Sequence, residues 1–132
     1  MKFIIKLFAL FIFITSLNGS ELNHADSYTD AIEQGIKEKK SVVLFAHSPY
    51  CPWCRKMENE TLSNKNVIDY LNNNYVFVSV DLSLDVATED VPKRFLPQGT
   101  PTTYVINPNN QQLMFTMRGF KKVKSFLGRL KR

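Results

Sequence analysis

Residues 42–54 read VVLFAHSPYCPWC, and most of the fold prediction rests on them. The first five of these residues form a short continuous apolar run, which is typical of a strand buried on both faces of a sheet. Residues 47–50 then give a loop signal, and Pro52 fits the first turn of a helix because no N–H is needed there. The stretch therefore predicts a buried strand that leads through a loop into a helix, with Cys51 at the start of that helix.

Outside this stretch, the hydrophobic spacing predicts alternating helices and strands. Helices are predicted over about residues 28–39, 52–62, 64–72 and 121–131, and strands over 75–81, 102–106 and 112–116. Residues 85–96, which Pro92 interrupts, are predicted to form a short helix or an irregular segment. Strands joined through helices imply parallel pairing, and a turn at 107–110 adds an antiparallel hairpin. The predicted architecture is α/β, with a central mixed sheet of about four strands and helices on both faces.

Three of these helices have a predicted N-cap or a predicted apolar face. Asp26 or Ser27 is expected to cap the first helix, with Ala31, Ile32 and Ile36 on its apolar face, although Gly35 weakens the pattern. Asn64 is expected to cap the helix that follows residue 62. The last helix should turn its apolar side chains inward, namely Val123, Phe126, Leu127 and Leu130.

The first 20 residues differ in kind from the rest. Lys2 precedes an uninterrupted apolar run over residues 7–14, and small and polar residues follow at 15–20. This layout is typical of a cleaved signal peptide, and the run is too short for a membrane-spanning helix, which needs about 20 apolar residues. We therefore predict a signal peptide at 1–20, one domain at 21–132, and a periplasmic or secreted protein.

Charge adds little to the functional prediction. The formal net charge is +5, and it falls to +3 without residues 1–20, which carry Lys2 and Lys6 and no acid. Residues 118–132 hold seven basic residues and no acidic residue. A basic patch can bind nucleic acid or anionic lipid, but cations also favour the C-terminal end of a helix. For an exported protein we favour a solvated helix face and predict no nucleic-acid partner.

The two cysteines, Cys51 and Cys54, are the only ones in the chain, and three interpretations are open. A structural disulfide across so short a loop would stabilise the fold by only about 1.9 kcal/mol. The second interpretation is a metal site, in which zinc would need four ligands and only His24 and His47 could join the pair. A copper-binding or copper-transfer site could instead use both cysteines with His47 and Met57, since soft ligands select Cu(I).

The third interpretation is a redox pair. A thiolate at a helix N-terminus faces free N–H groups and the positive end of the helix dipole, so we expect a depressed pKa for Cys51. Cys54, one turn into the helix and less exposed, could attack a mixed disulfide formed at Cys51. A C-x-x-C motif after an apolar strand in an α/β pattern indicates such redox chemistry.

Over residues 25–131 the sequence resembles proteins of the thioredoxin fold. The resemblance is carried by the strand VVLFA, the motif Cys51-Pro52-Trp53-Cys54, and Thr100-Pro101 ahead of the strand TTYVI. Residues 48–67 and 75–81 are similar to exported thioredoxin-like proteins of the SoxW type and to the C-terminal domain of DsbD proteins.

The resemblance implies several site properties. Pro101 would be a cis proline packed against the disulfide, and the backbone of Thr100 would bind an extended substrate, as in strand addition. Trp53 would offer an aromatic surface to substrates, unless its ring packs over a nearby loop. The buried acid that thioredoxins carry on the strand before the active site has no counterpart here, and Pro-Trp replaces Gly-Pro between the cysteines.

Together these observations predict a thiol–disulfide oxidoreductase without a bound cofactor or metal. Cys51 would attack a protein or peptide disulfide and Cys54 would resolve the mixed species. The resemblance favours a reductase supplied by an inner-membrane redox partner, and we expect a monomer.

Overall fold

The computed structural model describes residues 21–132, so the predicted signal peptide lies outside the described residues. Within that range no helix is both long and apolar enough to cross a membrane. The helices are α1 (Tyr28–Glu38), α2 (Pro52–Lys56), a π-helix (Met57–Leu62), α3 (Lys65–Asn74), α4 (Asp85–Thr88), a 3-10 turn (Lys93–Phe95) and α5 (Val123–Leu130). The strands are β1 (Ser41–His47), β2 (Tyr75–Asp81), β3 (Thr102–Asn107) and β4 (Gln112–Arg118). The predicted element order is confirmed.

The four strands form one mixed sheet in the order β2-β1-β3-β4. β1 and β2 are parallel, as predicted for strands joined through a helix, and β3 and β4 form the predicted antiparallel hairpin. The prediction was wrong for β3, which runs antiparallel to β1 although helical segments precede it. Ala46 pairs with both Val80 and Thr102, so the segment from 82 to 101 begins and ends at the same end of the sheet. The chain that enters β3 must therefore run back in the opposite direction.

The core consists of two apolar layers, one on each face of the sheet. Alternate residues of β1 point to opposite faces, because side chains alternate along a strand. Val42 and Leu44 pack with α1 and Phe95, whereas Val43 and Phe45 pack with Met57 and the helices α3 and α5. Residues 42–46 are at most 1% exposed. The predicted strand buried on both faces is confirmed, and its end is held rigidly between two packed layers.

Helix α1 corrects one predicted face. Ser27 caps the helix, and its Oγ accepts the N–H of Asp30 at 3.1 Å. Ala31 and Ile32 are buried as expected, but Ile36 is 49% exposed, and Gly35 takes the buried position instead. A Cβ at position 35 would lie 2.8 Å from the carbonyl oxygen of Lys40. The glycine that weakened the helix pattern is therefore required for close packing.

The helical stretch after the cysteines is broken in two. α2 continues into the π-helix, a feature that the sequence did not predict. Asn64 then caps α3 as expected, and its Oδ1 accepts the N–H groups of Asn66 and Val67. Val67, Ile68 and Leu71 are buried beneath α3, and Phe126 and Leu130 beneath α5. These contacts fix the layer of helices that carries the cysteines.

Candidate active site

The cysteine pair lies where β1 passes into α2. Cys51 is the N-cap of α2, with Pro52 in the first turn, and its Sγ accepts the backbone N–H of Cys54 at 3.1 Å. The two cysteines form a disulfide, with their Cα atoms 5.2 Å apart. The sequence thus places a disulfide at the start of a helix that extends from a buried strand.

The two sulfur-bearing residues differ in accessibility. Cys51 is 8% exposed and Cys54 is 1% exposed. Both residues are buried, and Cys54 is the less exposed of the two, as expected. What solvent access the pair has is therefore greater at Cys51 than at Cys54, which lies in the first turn of α2.

A loop from a distant part of the chain lies against Cys51. The Thr100–Pro101 peptide bond is cis, as the resemblance implied. The Sγ of Cys51 lies 3.5 Å from the carbonyl oxygen of Thr100. The carbonyl oxygen of Pro101 accepts the N–H of Gly119 at 2.8 Å, which ties this loop to the end of β4. Three segments therefore meet at the disulfide: the start of α2, the cis-proline loop and the chain after β4.

An aromatic platform, defined as Trp53 and Phe120, borders the disulfide. The two ring centroids are 6.1 Å apart, and the Nζ of Lys56 lies 5.3 Å from the Trp53 centroid and 4.9 Å from the Phe120 centroid. Trp53 remains 57% exposed despite these contacts. The ring therefore packs on the loop that carries Phe120, as one alternative predicted, and more than half of the residue remains open to solvent.

The π-helix binds the backbone that follows Phe120 in the aromatic platform. Thr61 is completely buried, and its hydroxyl donates to the carbonyl oxygen of Lys121. The sulfur of Met57, also completely buried, accepts the N–H of Lys121 at 3.4 Å. These bonds fix the backbone next to Phe120 against the helix that carries the cysteines. Met57 is a core residue, as its position one turn after Cys54 suggested.

The strand that leads to the cysteines ends in two stacked rings, Phe45 and His47. Phe45 is 1% exposed and packs in the apolar layer that contains Met57 and the buried residues of α3 and α5. His47, two residues on, stacks on Phe45 with a centroid distance of 5.6 Å, and its Nδ1 lies 3.8 Å from Oε1 of Glu58.

Asp81 pairs with His47 across the sheet, and hydrogen bonds from the side chain and backbone of Ser83 hold the pKa of Asp81 below its ordinary value.

The ligand set considered for copper is not assembled. Within residues 21–132, no three side chains of the types His, Cys, Asp and Glu are grouped to hold a metal ion. His47 therefore does not join the cysteine pair, and its imidazole faces Glu58 instead. The sulfur of Met57 is engaged with the backbone of Lys121.

Several residues at this site were not found from the sequence. Phe120 and Gly119 reach the disulfide region through tertiary contacts, and no local spacing relates Phe120 to Trp53. The only sequence feature at Phe120 is the pair Gly119-Phe120 between a strand and a helix, and such a pair predicts no more than a turn. Of the residues singled out from the sequence, Cys51, Cys54, Trp53, Thr100 and Pro101 do lie together at one end of the sheet.

Comparison with known proteins gives a consistent result. A family model for a thioredoxin-like domain matches residues 28–132. The chain belongs to the thioredoxin-like domain family. Its β1–α2 disulfide and cis-proline loop give this thioredoxin-like domain the framework of a thiol–disulfide oxidoreductase.

Solved structures similar to this thioredoxin-like chain include several oxidoreductases. A thioredoxin from Thermus thermophilus has a TM-score of 0.70 at 25% identity, covering 80% of this chain and 82% of that one. The DsbH oxidoreductase has a TM-score of 0.69 at 18% identity, covering 84% and 83%. The oxidised C-terminal domain of Neisseria meningitidis DsbD has a TM-score of 0.62 at 21% identity, covering 78% and 90%. The last two likenesses show the fold.

Among curated proteins, the chain is similar to spermatogenesis-associated protein 20. The rat protein is 36% identical over 52 residues, which is 39% of this chain, and the mouse protein is 35% identical over the same length. The match spans 7% of each of those proteins.

Proposed function

We propose that this protein is an exported thiol–disulfide oxidoreductase that reduces disulfides in protein or peptide substrates. The observation that carries the proposal is the arrangement of the Cys51–Cys54 disulfide, with its outer sulfur against the Thr100 carbonyl and its inner sulfur buried. Thiol–disulfide exchange needs one accessible thiol to attack and a second held back to resolve the product.

In the reduced protein, the Cys51 thiolate attacks one sulfur of a substrate disulfide. A mixed disulfide forms between Cys51 and that sulfur, while the other substrate sulfur leaves as a thiolate. The Cys54 thiolate then attacks Sγ of Cys51, which closes the Cys51–Cys54 disulfide and releases the second substrate thiolate. Two electrons pass from the cysteine pair to the substrate, and no bound cofactor takes part.

The local backbone supports the role of Cys51 as the attacking group. The N–H of Cys54 already donates to Sγ of Cys51 at 3.1 Å, and a hydrogen bond of this kind favours the negatively charged form of its acceptor. Cys51 is also the N-cap of α2, where the unpaired N–H groups of the first turn favour negative charge.

Substrate binding is assigned to the surface around Cys51. The carbonyl and amide groups at Thr100, next to Pro101, would pair with an extended substrate segment, because a free backbone can add a strand. The exposed face of Trp53 would contact the substrate on the other side of the disulfide. Lys56 and Phe120 hold that ring from behind.

The direction of transfer and the location are supported by sequence features. The pattern of residues 1–20 favours export to the periplasm or secretion, and the likeness to DsbD C-terminal domains favours a reductase recharged by an inner-membrane partner. Separation of cell fractions, with detection of this protein in the fraction outside the inner membrane, would test the location directly.

The exchange mechanism is tested with a Cys54→Ser variant. This variant should accumulate covalent substrate adducts on Cys51 that dithiothreitol releases, because the resolving thiol is missing. Mass spectrometry of the trapped species identifies the linked cysteine. Cys51→Ser is the matched control and should trap far less, since the remaining sulfur is buried. Equal trapping by both variants, or none by either, would contradict the assigned roles, and a copper carrier would give none.

A further inference from the structure

An open cleft with a volume of about 450 Å³ lies beside the cis-proline loop. Its walls are the segment 94–102 and the end of β4, and Tyr104 lies at its base with 7% exposure. Tyr104 and Phe95 belong to the apolar layer on the α1 face of the sheet. The cleft is therefore separate from the aromatic platform, which lies over α2.

Two charged residues line the cleft, and both are positively charged. Arg94 and Arg118 stand among apolar and neutral polar residues, and the lining residues include no Asp or Glu. Both arginines are exposed, and within residues 21–132 neither makes a salt bridge. An open cleft with two unpaired guanidinium groups and no acid favours the binding of an anion.

Arg94 is held in a fixed position by its own contacts. Its Nη2 donates to the carbonyl oxygen of Gln111 at 2.8 Å, and its guanidinium carbon lies 4.7 Å from the centre of the Phe95 ring. The carboxylate of Asp90, which like Arg94 acts on the charge of Tyr28, accepts the N–H of Thr29 at 2.7 Å and does not line the cleft. These contacts orient the guanidinium group, and within residues 21–132 no carboxylate forms a salt bridge with it.

Arg118 lies close to the phenol at the base of the cleft. Burial raises the pKa of Tyr104 above its ordinary value, and the positive charge of Arg118 opposes part of that rise. Arg118 also pairs with Thr102 across the β3–β4 hairpin, so its backbone is fixed by the sheet. The two arginines thus approach the cleft from two different elements.

The cleft adjoins the reacting sulfur through the cis-proline loop. Thr100 and Pro101 line the cleft, and the carbonyl oxygen of Thr100 lies 3.5 Å from Sγ of Cys51. A substrate strand that pairs with Thr100 advances by roughly 3.3 Å per residue. A side chain only a few residues from the substrate cysteine would therefore enter the cleft that the two arginines line.

We propose that the cleft between Arg94 and Arg118 is a subsite for a carboxylate group of the substrate, so that this protein prefers disulfides flanked by an acidic residue. The inference rests on the proposed function. A guanidinium group binds a carboxylate through two parallel hydrogen bonds, which gives both affinity and orientation. The carboxylate could belong to an Asp or Glu side chain or to a peptide C-terminus, and the test separates these sources.

The test compares short peptide disulfides that differ at one position. One peptide carries Glu within three residues of its cysteine, a second carries Gln at that position, and both have amidated C-termini. A third carries Gln and a free C-terminal carboxylate at the same distance. The rate constant for reduction of each by the purified, fully reduced protein is measured at low ionic strength and again with added salt.

The Glu peptide should be reduced about three to ten times faster than the Gln peptide, and added salt should shrink the ratio. In an Arg94→Gln, Arg118→Gln double variant the ratio should fall to about one, with the rate for the Gln peptide unchanged. Lys124→Gln, which removes an exposed cation outside the cleft, is the matched control and should keep the ratio. Faster reduction of the peptide with the free C-terminal carboxylate than of the Glu peptide would show that the subsite binds the C-terminal carboxylate of a substrate.

Equal rates for all three peptides, or a preference that survives the double variant, would overturn the subsite while leaving the proposed function in place. A reduced protein that reacts with none of the peptides would contradict the proposed function itself, and the subsite with it. Because both arginines are exposed, the double variant should keep its fold, and circular dichroism would verify this.

Discussion

The Sγ of Cys51 lies 3.5 Å from the carbonyl oxygen of Thr100, a residue 49 positions further along the chain. This contact joins the two motifs that the sequence singled out, one after β1 and one before β3. It exists because β1 and β3 are antiparallel neighbours, with Ala46 paired to Thr102. The end of β1 and the start of β3 therefore meet at the same end of the sheet, where the disulfide lies.

The exposed ring of Trp53 should matter for peptide substrates and not for small disulfides. Trp53→Ala should lower the rate of peptide disulfide reduction several-fold, because an exposed aromatic side chain contributes contact area to a bound segment. Reduction of a small aromatic disulfide, which needs only the Cys51 thiol, should change little. Steady-state rates with both substrates measure the difference.

Met114→Ala is the matched control for Trp53. Met114 is 55% exposed, but its sulfur accepts a hydrogen bond from Ser41 at the start of β1, at the opposite end of the sheet from the cysteines. Its rates with both substrates should equal those of the unchanged protein. If Trp53→Ala lowers both rates equally, the ring acts on the thiol chemistry and not on substrate binding.

Two glycines should respond in opposite ways to alanine. Gly35→Ala should destabilise the fold by about 1–3 kcal/mol, because its Cβ would lie 2.8 Å from the Lys40 carbonyl oxygen and 3.0 Å from the Cβ of Pro108. Gly128→Ala meets nothing within 4 Å inside α5 and should stabilise the fold by about 0.5–1 kcal/mol. Urea unfolding measures both. A Gly35→Ala protein as stable as Gly128→Ala would contradict the close approach of α1.

The pKa of Asp81 should depend on Ser83. The hydroxyl and the N–H of Ser83 donate to Oδ1 of Asp81 at 2.7 and 2.9 Å, and both bonds lower that pKa. Ser83→Ala removes the hydroxyl, so the pKa should rise towards the ordinary aspartate value, as an NMR titration of the carboxyl carbon would show. Ser125→Ala on α5 is the control and should leave the pKa of Asp81 unchanged.

The sign of the pH dependence follows from the lowered pKa. A carboxyl whose pKa is lower in the folded than in the unfolded state stabilises the fold above the unfolded pKa. That contribution is lost as the pH falls through the folded pKa. The stability difference between the unchanged protein and Ser83→Ala should therefore be largest near neutral pH and shrink in acid. A difference that grows in acid would contradict the assignment.

Local features of the sequence were sufficient for much of the fold. The run from Val42 to Ala46 predicted a buried strand because it lacks any polar alternation, and the structure buries it on both faces. Asn64 predicted a helix start because its side chain can accept the free N–H groups of the next turn, which it does. The two cysteines and Thr100-Pro101 were also correctly brought to one site, through the resemblance.

What the sequence could not predict depends on contacts between distant elements. The direction of β3 follows from the path of the segment before it, which has no periodic pattern to read. Gly35 is buried where Ile36 was predicted to be, because α1 packs closely against the backbone of Lys40, and this contact cannot be predicted from the helix pattern alone. The packing of Phe120 on Trp53, and the cleft between Arg94 and Arg118, join residues that only the folded chain brings together.

The measurement that most directly tests the central claim is the reduction potential of the purified protein. The protein is equilibrated in graded thiol–disulfide buffers, and free thiol is counted while Trp53 fluorescence gives a second reading. Potentials within this fold span about −270 to −120 mV, and a reductase should lie near the lower end. A value near −120 mV would make the protein a disulfide donor and reverse the proposed direction. A Cys51–Cys54 pair that stays oxidised across the whole range would contradict dithiol–disulfide exchange itself.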